Sequence, residues 1–435
     1  MTGAFASSAR ASRGFLIRPS IVLAAGASLS LVLACAGSPE SSESSREPQW
    51  TPTAEMHDAR MGLSASVLRS GLVLVSGGGD KLAWTHPYSS NSLEYLRSAE
   101  LYDPSSGTWA ITGSMITPRA GPAFLVSRGT HAGEVMRVGG DSGYFETPDE
   151  WLHGQPLTTT EYYSETAGGW TPGPQLLHAP LDVIQLADGK LLAVGSVDVP
   201  GGPIGPEAQI IDPSDSEPTW RLVSPMNVPR FGFSMVLLAN GEVLVVGGIT
   251  QAIGLGVMSS DAERYDLVND RWRKVASLPV PRVGEVLIRL PSGRVLLAGG
   301  CGNGWYNCED PSRPPTADAW IYEPDQDVWR PTSPMNHPHA LPSAVILDSG
   351  KVLVAGGNYK ATVQGKTDYY PSPTPEIFDP DSETWSSTGP MPHYVYGSAA
   401  MVKLHSGAVL FMGGAVNGQP GKDEYFAIKA ATLFQ

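Results

Sequence analysis

Four arginines, Arg60, Arg119, Arg230 and Arg282, each stand just ahead of an apolar run, and His339 and His393 take the same place further along. A guanidinium holds carboxylates and other anions through planar, paired hydrogen bonds. Brought to one mouth, these groups would form a funnel for an anionic ligand. A second set is aromatic. Trp84, Tyr144, Trp305 and Tyr306 lie in long segments that also carry Tyr88, Tyr95, Phe145, Trp151, Tyr359, Tyr369, Tyr370 and Tyr425. Rings on such segments stack on sugars or form the rim of a protein-binding surface. Both sets are the ligand-binding candidates of this chain.

Residues suited to catalysis are sparser. Glu285, close to Arg282, could transfer protons. His337-Pro338-His339 and His393-Tyr394 offer imidazoles but no further ligands, which is a weak metal motif. Asp379-Pro380-Asp381-Ser382-Glu383 imitates part of a calcium loop without its glycine or terminal acid, and hairpin-turn chemistry accounts for it. The chain has no Gly-x-Ser-x-Gly elbow, no phosphate-cradling glycine loop and no His-Glu-x-x-His pair. No catalytic residue, metal site or cofactor is therefore assigned.

These residues are spread over most of the chain, and a repeat must position them. Apolar runs end in Gly77-Gly78, Gly139-Gly140, Gly247-Gly248, Gly299-Gly300, Gly356-Gly357 and Gly413-Gly414, with Gly195-Ser196 as a degenerate copy. An aromatic pair follows all but the last: Tyr102/Trp109, Tyr163/Trp170, Tyr265/Trp272, Tyr322/Trp329 and Phe378/Trp385, with Ile211/Trp220 as a weaker member. Within one unit, Phe233–Leu238 and Glu242–Val246 flank Asn240-Gly241, a hairpin signal, and form strands a and b. Strand c carries the tyrosine and strand d the tryptophan. The last repeat stops at Gln435 with no tryptophan strand, while Trp50-Thr51-Pro52 looks like a strand d without a repeat. One N-terminal strand is thus expected to close the last of seven blades and so remove the open edge.

A period of about 50 residues with this signature resembles the kelch family, including the central propeller of galactose oxidase. The likeness covers residues 50–435 and implies an all-β, seven-bladed kelch-type β-propeller. It also implies that arginines at the start of strand a line the central funnel. Copper chemistry of the galactose oxidase kind would need two tyrosines, two histidines and a cysteine crosslinked to one tyrosine, and no cysteine is left for it if Cys35 is lipidated and Cys301 pairs with Cys308. Strands alternate in direction, so the d–a and b–c loops share one face. The b–c loops, Asp80–Ser98, Asp141–Thr159, Cys301–Thr316, Asn358–Thr374 and Ala415–Lys429, are long and dissimilar. The turns of the other face are short. The loop-rich face is expected to be functional.

Residues 1–34 read as an export signal: Arg10, Arg13 and Arg18 precede the apolar run Ile21–Leu33, which is too short to span a bilayer. Val32-Leu33-Ala34-Cys35 resembles a bacterial lipobox, making Cys35 the lipidated N-terminus of an exported outer-membrane or cell-surface lipoprotein. Residues 35–49 form a polar, Ser/Glu-rich stretch expected to be a disordered tether. Of the three cysteines, Cys301 and Cys308 then remain for a local disulfide. Removing the signal takes the formal net charge from −14 to about −17. So acidic a chain is unsuited to nucleic acid. The sequence points to a monomeric, membrane-anchored, non-catalytic module for an envelope protein or a glycan, with an anionic ligand in the funnel. The alternative is a mutarotase or epimerase acting on an acidic sugar.

Overall fold

The computed structural model describes residues 48–83, 95–144, 154–199, 202–250, 257–302, 314–363, 366–417 and 424–435. Among them there is no helix. Seven four-stranded antiparallel sheets form a β-propeller. Blades 1 to 6 are continuous in sequence, at 64–112, 123–172, 182–223, 234–275, 283–332 and 343–387. Blade 7 combines Ala400–Lys403, Val409–Met412 and Ala431–Phe434 with Trp50–Pro52 as its outer strand. The a strands of neighbouring blades touch one another and form the inner ring.

Blade 7 closes as the sequence predicts. Trp50 lies opposite Phe434, with ring centroids 5.0 Å apart. Gln49 and Gln435 exchange backbone hydrogen bonds just beyond that pair. Phe378 and Trp385 form the same cross-strand pair in blade 6, also at 5.0 Å.

Strand b is the apolar heart of each blade. Val73–Ser76, Val243–Val246, Val352–Ala355 and Val409–Met412 are buried at every position, because a blade covers each face. Between blades 3 and 4, for example, Leu192, Val194, Ala208 and Ile210 pack with Val243, Val245, Tyr265 and Trp272. The tryptophans add a polar stitch. Trp109, Trp170 and Trp272 donate their indole N–H to the Ala54, Gly113 and Ser224 carbonyls, each at 2.8 Å and each just after strand d of the preceding blade.

The paired glycines are required by backbone contact between blades. Gly77 and Gly78 have φ of 65° and 81°. A Cβ on Gly77 would stand 2.1 Å from the Arg119 carbonyl of blade 2, and one on Gly78 2.6 Å from the Met61 carbonyl of blade 1. With no side chain, Gly78 N–H reaches the Arg119 carbonyl at 3.0 Å. Gly414 reaches the Arg60 carbonyl in the same way at 2.8 Å, across the closure of the ring.

Candidate functional site

The arginines stand at the head of strand a, each buried within its own blade beneath the face that carries the b–c loops. Arg60, Arg119 and Arg230 are 0% exposed and Arg282 2%. Each guanidinium donates through Nη1 to the carbonyl of the first glycine of its own blade: Arg60 to Gly77 at 3.0 Å, Arg119 to Gly139 at 3.1 Å, Arg230 to Gly247 at 3.0 Å and Arg282 to Gly299 at 2.8 Å. His339, also 0% exposed, does the same through Nδ1 to Gly356, at 2.8 Å. The other side of the fork meets an acid on strand c. Arg60 meets Glu100 at 3.1 Å, Arg119 meets Glu161 at 2.8 Å and Arg230 meets Glu263 at 3.0 Å.

Those acids hold the d–a loop as well. Glu100 accepts the His57 and Asp58 amides, Glu161 those of Ile116 and Thr117, Glu263 those of Asn227 and Val228, and Glu376 those of Asn336 and His337. Burial would raise the Glu100 carboxyl, yet the His57 and Asp58 amides, the His57 ring and Arg60 bring it below its usual range. Glu376 is likewise lowered against burial by His339 and two backbone amides. Burial lowers Arg119, Arg230 and Arg282, opposed by their acids. The result is an internal brace tying the d–a loop, the exit of strand b and the entry of strand c. The expected anion funnel is therefore corrected: these guanidinium groups are already paired and closed off from solvent.

The brace varies by blade. Blade 3 has Ala179 at the basic position and Gln209 on strand c, whose amide accepts from Leu177 N–H at 2.8 Å and donates to the His178 carbonyl at 2.7 Å. In blade 5 Trp320 stands where the acid would be, and Arg282 turns to Asp318 at 3.2 Å. His393 is not the blade 7 counterpart. That position falls to Tyr396, whose amide donates to the Ala415 carbonyl, while His393 is exposed three residues earlier.

Above the braces, the b–c segments carry added strands that the sequence does not advertise. Asp141–Tyr144 pairs with Gly154–Pro156, Ile249–Thr250 with Val257–Met258, and Asn358–Val363 with Lys366–Pro371. Glu424–Ala427 of blade 7 lies between Ala415–Asn417 and Lys81–Ala83 of blade 1, fastening two blades together. Trp84, Trp305 and Tyr306 fall outside the described residues, and of Tyr144 only the strand is described. Tyr359 and Tyr370 face each other across the blade 6 hairpin, partly buried, with centroids 6.2 Å apart. Beside the braces, Asp198 and Asp318 are more than half exposed. Clefts of about 270 and 410 Å³ lie on the opposite face, among the turns beside blade 7.

Two carboxyls on inner strands are held neutral-leaning by burial. Asp182 of blade 3 is raised to about 6. Glu285 is raised too; Ser234 of the neighbouring blade and Arg282 oppose the shift only in part, and neither carboxyl oxygen has a well-formed hydrogen bond. Glu285 is packed between blades 4 and 5 near Gly247, so it does not stand in an open site as proton transfer would need.

The Kelch motif model matches residues 229–279, the stretch that holds Arg230, Gly247-Gly248, Glu263, Tyr265 and Trp272. The chain is a kelch-repeat β-propeller. Its kelch repeats are similar to those of Adagio protein 3 of Arabidopsis thaliana, 26% identical over 45% of this chain and 32% of that protein. They also resemble Kelch repeat and BTB domain-containing protein 12 of Danio rerio, 26% identical over 41% and 28%, and Beta-scruin of Limulus polyphemus, 27% over 46% and 20%. The chain spans a third or less of the length of these relatives. Among solved structures, a fungal alcohol oxidase of the AA5 family in complex with copper superposes with a TM-score of 0.61. It is 15% identical over 89% of this chain and 76% of that one, a likeness of fold. A copper centre does not suit the kelch propeller described above. Cys301 is buried and disulfide-bonded, with Cys308 outside the described residues, and His339 is spent on its brace. Among the described residues no three His, Cys, Asp or Glu side chains gather as metal ligands would.

Proposed function

We propose that the chain is an interaction module that holds a protein partner against the hairpin-bearing face of its propeller. The observation that carries this reading is the asymmetry of the two faces. Added strands extend blades 2, 4, 6 and 7 on one side, and the described turns on the other are short. The kelch-repeat relatives support the same class of function. With the guanidinium groups buried and Asp198 and Asp318 exposed, the face favours a neutral or basic partner surface over an anionic one. The test replaces residues 360–369 with Asn-Gly, closing the blade 6 hairpin at its base. The melting temperature is expected to hold while crosslinked capture of the partner from envelope extracts is lost. Unchanged capture, with the blade 2 hairpin shortened as well, would place binding elsewhere.

The Tyr359–Tyr370 pair supports a glycan as the feature contacted on that partner, since partly exposed rings stack on sugar faces. Binding of the propeller on a glycan array, lost on Tyr359→Ala with Tyr370→Ala, would support it; an empty array would restrict the reading to protein. We infer also that the propeller is tethered to a bacterial outer membrane through lipid on Cys35. The signal layout of residues 10–35 and the polar stretch after it support this. Labelling with radioactive palmitate should mark the wild type and not Cys35→Ser; an unlabelled wild type would overturn it. The acidic-sugar enzyme loses the features that suggested it, because its arginines and Glu285 are packed inside the scaffold.

A further inference from the structure

Arg137 belongs to no brace. It lies on strand b of blade 2, Val135–Val138, directly opposite Glu161 on strand c and Ala123 on strand a. Counted back from the paired glycines, the other six blades place Val75, Ala193, Val245, Leu297, Val354 and Phe411 here. Phe411 lies against Gly356, and Arg137 lies against Gly77 in the same way. Blade 2 has therefore put a cation in an apolar slot between two blades.

The cation is 0% exposed and poorly partnered. Its Nη2 reaches the Arg119 carbonyl at a long 3.4 Å, and Nε and Nη1 have no hydrogen-bond acceptor among the described residues. Arg119 Nε is in the same condition. Glu161 is spent on Arg119 and the Ile116 and Thr117 amides and forms no ion pair with Arg137. Glu100 is spent on Arg60 and the His57 and Asp58 amides. Burial, then the nearby Arg119 and Arg60 charges, depress Arg137 to about 9 against the opposing Glu161 charge, which leaves it cationic at neutral pH. An isolated buried charge is among the most costly groups a fold can hold, and each unpaired N–H adds to the cost. Water could satisfy the N–H groups but would not offset the charge.

We propose that blade 2 encloses a small monovalent anion of the halide class, held by the free N–H groups of Arg137 between blades 1 and 2. A single-atom anion needs less room beside Arg137 than sulfate or phosphate would, in a position that other blades fill with side chains from alanine to phenylalanine. The site is separate from the hairpin face, and its place between blades makes the ion a structural ligand.

Crystals grown with sodium bromide in place of chloride test this on the unaltered protein. An anomalous bromide peak within hydrogen-bonding reach of Arg137 Nε or Nη1 is the expected result. An ordered water there, or no peak, overturns the proposal. In solution, the wild type should melt several degrees higher in saturating chloride than in gluconate at equal ionic strength, since a ligand of the folded state alone stabilises it. Arg137→Met, which restores the apolar character of the other blades, should lose that difference. A wild type indifferent to the anion, or a variant that keeps the difference, would show that the charge is borne without a bound ion.

Discussion

Blades 3 and 4 solve one structural problem with different chemistry. In blade 4, Arg230 and Glu263 are both fully buried, and the acid holds the Asn227 and Val228 amides. In blade 3 the arginine is replaced by Ala179 and the acid by Gln209, which still holds the Leu177 amide. The two ends change together, charge for charge. In blades 1, 2 and 4 arginine at the head of strand a is thus one half of a brace whose other half is the strand-c acid, whereas blade 3 closes with an amide and Arg282 of blade 5 turns to Asp318. A residue kept for a ligand would have no reason to follow a buried partner on strand c.

The comparison is broken most forcefully by removing one end of a pair. Glu263→Ala would leave Arg230 buried with no carboxylate, at a cost of about 3–5 kcal/mol. Gln209→Ala in blade 3 should cost only about 1–2 kcal/mol, because what it leaves unpaired is neutral. Urea unfolding of the two variants measures the gap, and equal costs would mean that the charge pair is not a unit. The next effect is smaller. Changing Arg230→Ala together with Glu263→Gln copies blade 3 into blade 4. The double variant should be more stable than Glu263→Ala alone by about 1–3 kcal/mol, since no unpaired charge remains.

Much of this scaffold is legible in the chain, for a physical reason. Gly77-Gly78 and the Tyr102/Trp109 pair recur because their tasks, close backbone approach and a stitch between blades, are the same in every blade. The arginine positions recur too, yet sequence displays one end of each brace. The partner acids come 40, 42 and 33 residues later in blades 1, 2 and 4. They sit in Glu-Leu-Tyr, Glu-Tyr-Tyr and Glu-Arg-Tyr, where the acid precedes the repeat tyrosine by two positions. That spacing was available as a signal, and it turns a supposed binding funnel into framework. The hairpins of the b–c segments were not legible. Strands of two to six residues such as Asp141–Tyr144, with a glycine and an aspartate, have no periodicity to read, and their pairing is set by the blade beneath.

The tryptophans sharpen the same contrast at a lower energy. Trp272 donates to the Ser224 carbonyl at 2.8 Å, whereas the buried indole N–H of Trp220 in blade 3 has no partner among the described residues. Trp272→Phe and Trp220→Phe both lose ring volume, so their difference isolates one hydrogen bond. Trp272→Phe should be the more destabilising by about 1 kcal/mol, in paired melting curves. Equal losses would mean that the indole bond adds nothing beyond packing.

The smallest expected effect concerns a carboxyl that joined no brace. Glu285 sits between blades 4 and 5 with neither oxygen in a well-formed hydrogen bond, and burial raises its pKa. The folded state therefore holds this proton more tightly than the unfolded chain does. Its contribution to stability is fully present below the unfolded value, near 4.5, and is lost as pH rises through the higher folded value. Glu285→Gln keeps the shape and cannot ionise. It should match the wild type near pH 4 and exceed it at pH 8, by on the order of 1 kcal/mol. The braces have the opposite sign, since Glu100, paired with Arg60, and Glu376, paired with His339, are lowered and lose their contribution as the medium becomes acidic. A stability advantage for Glu285→Gln that failed to grow with pH would mean that the wild-type carboxylate is compensated inside the ring, and its burial would then need a partner outside the described residues.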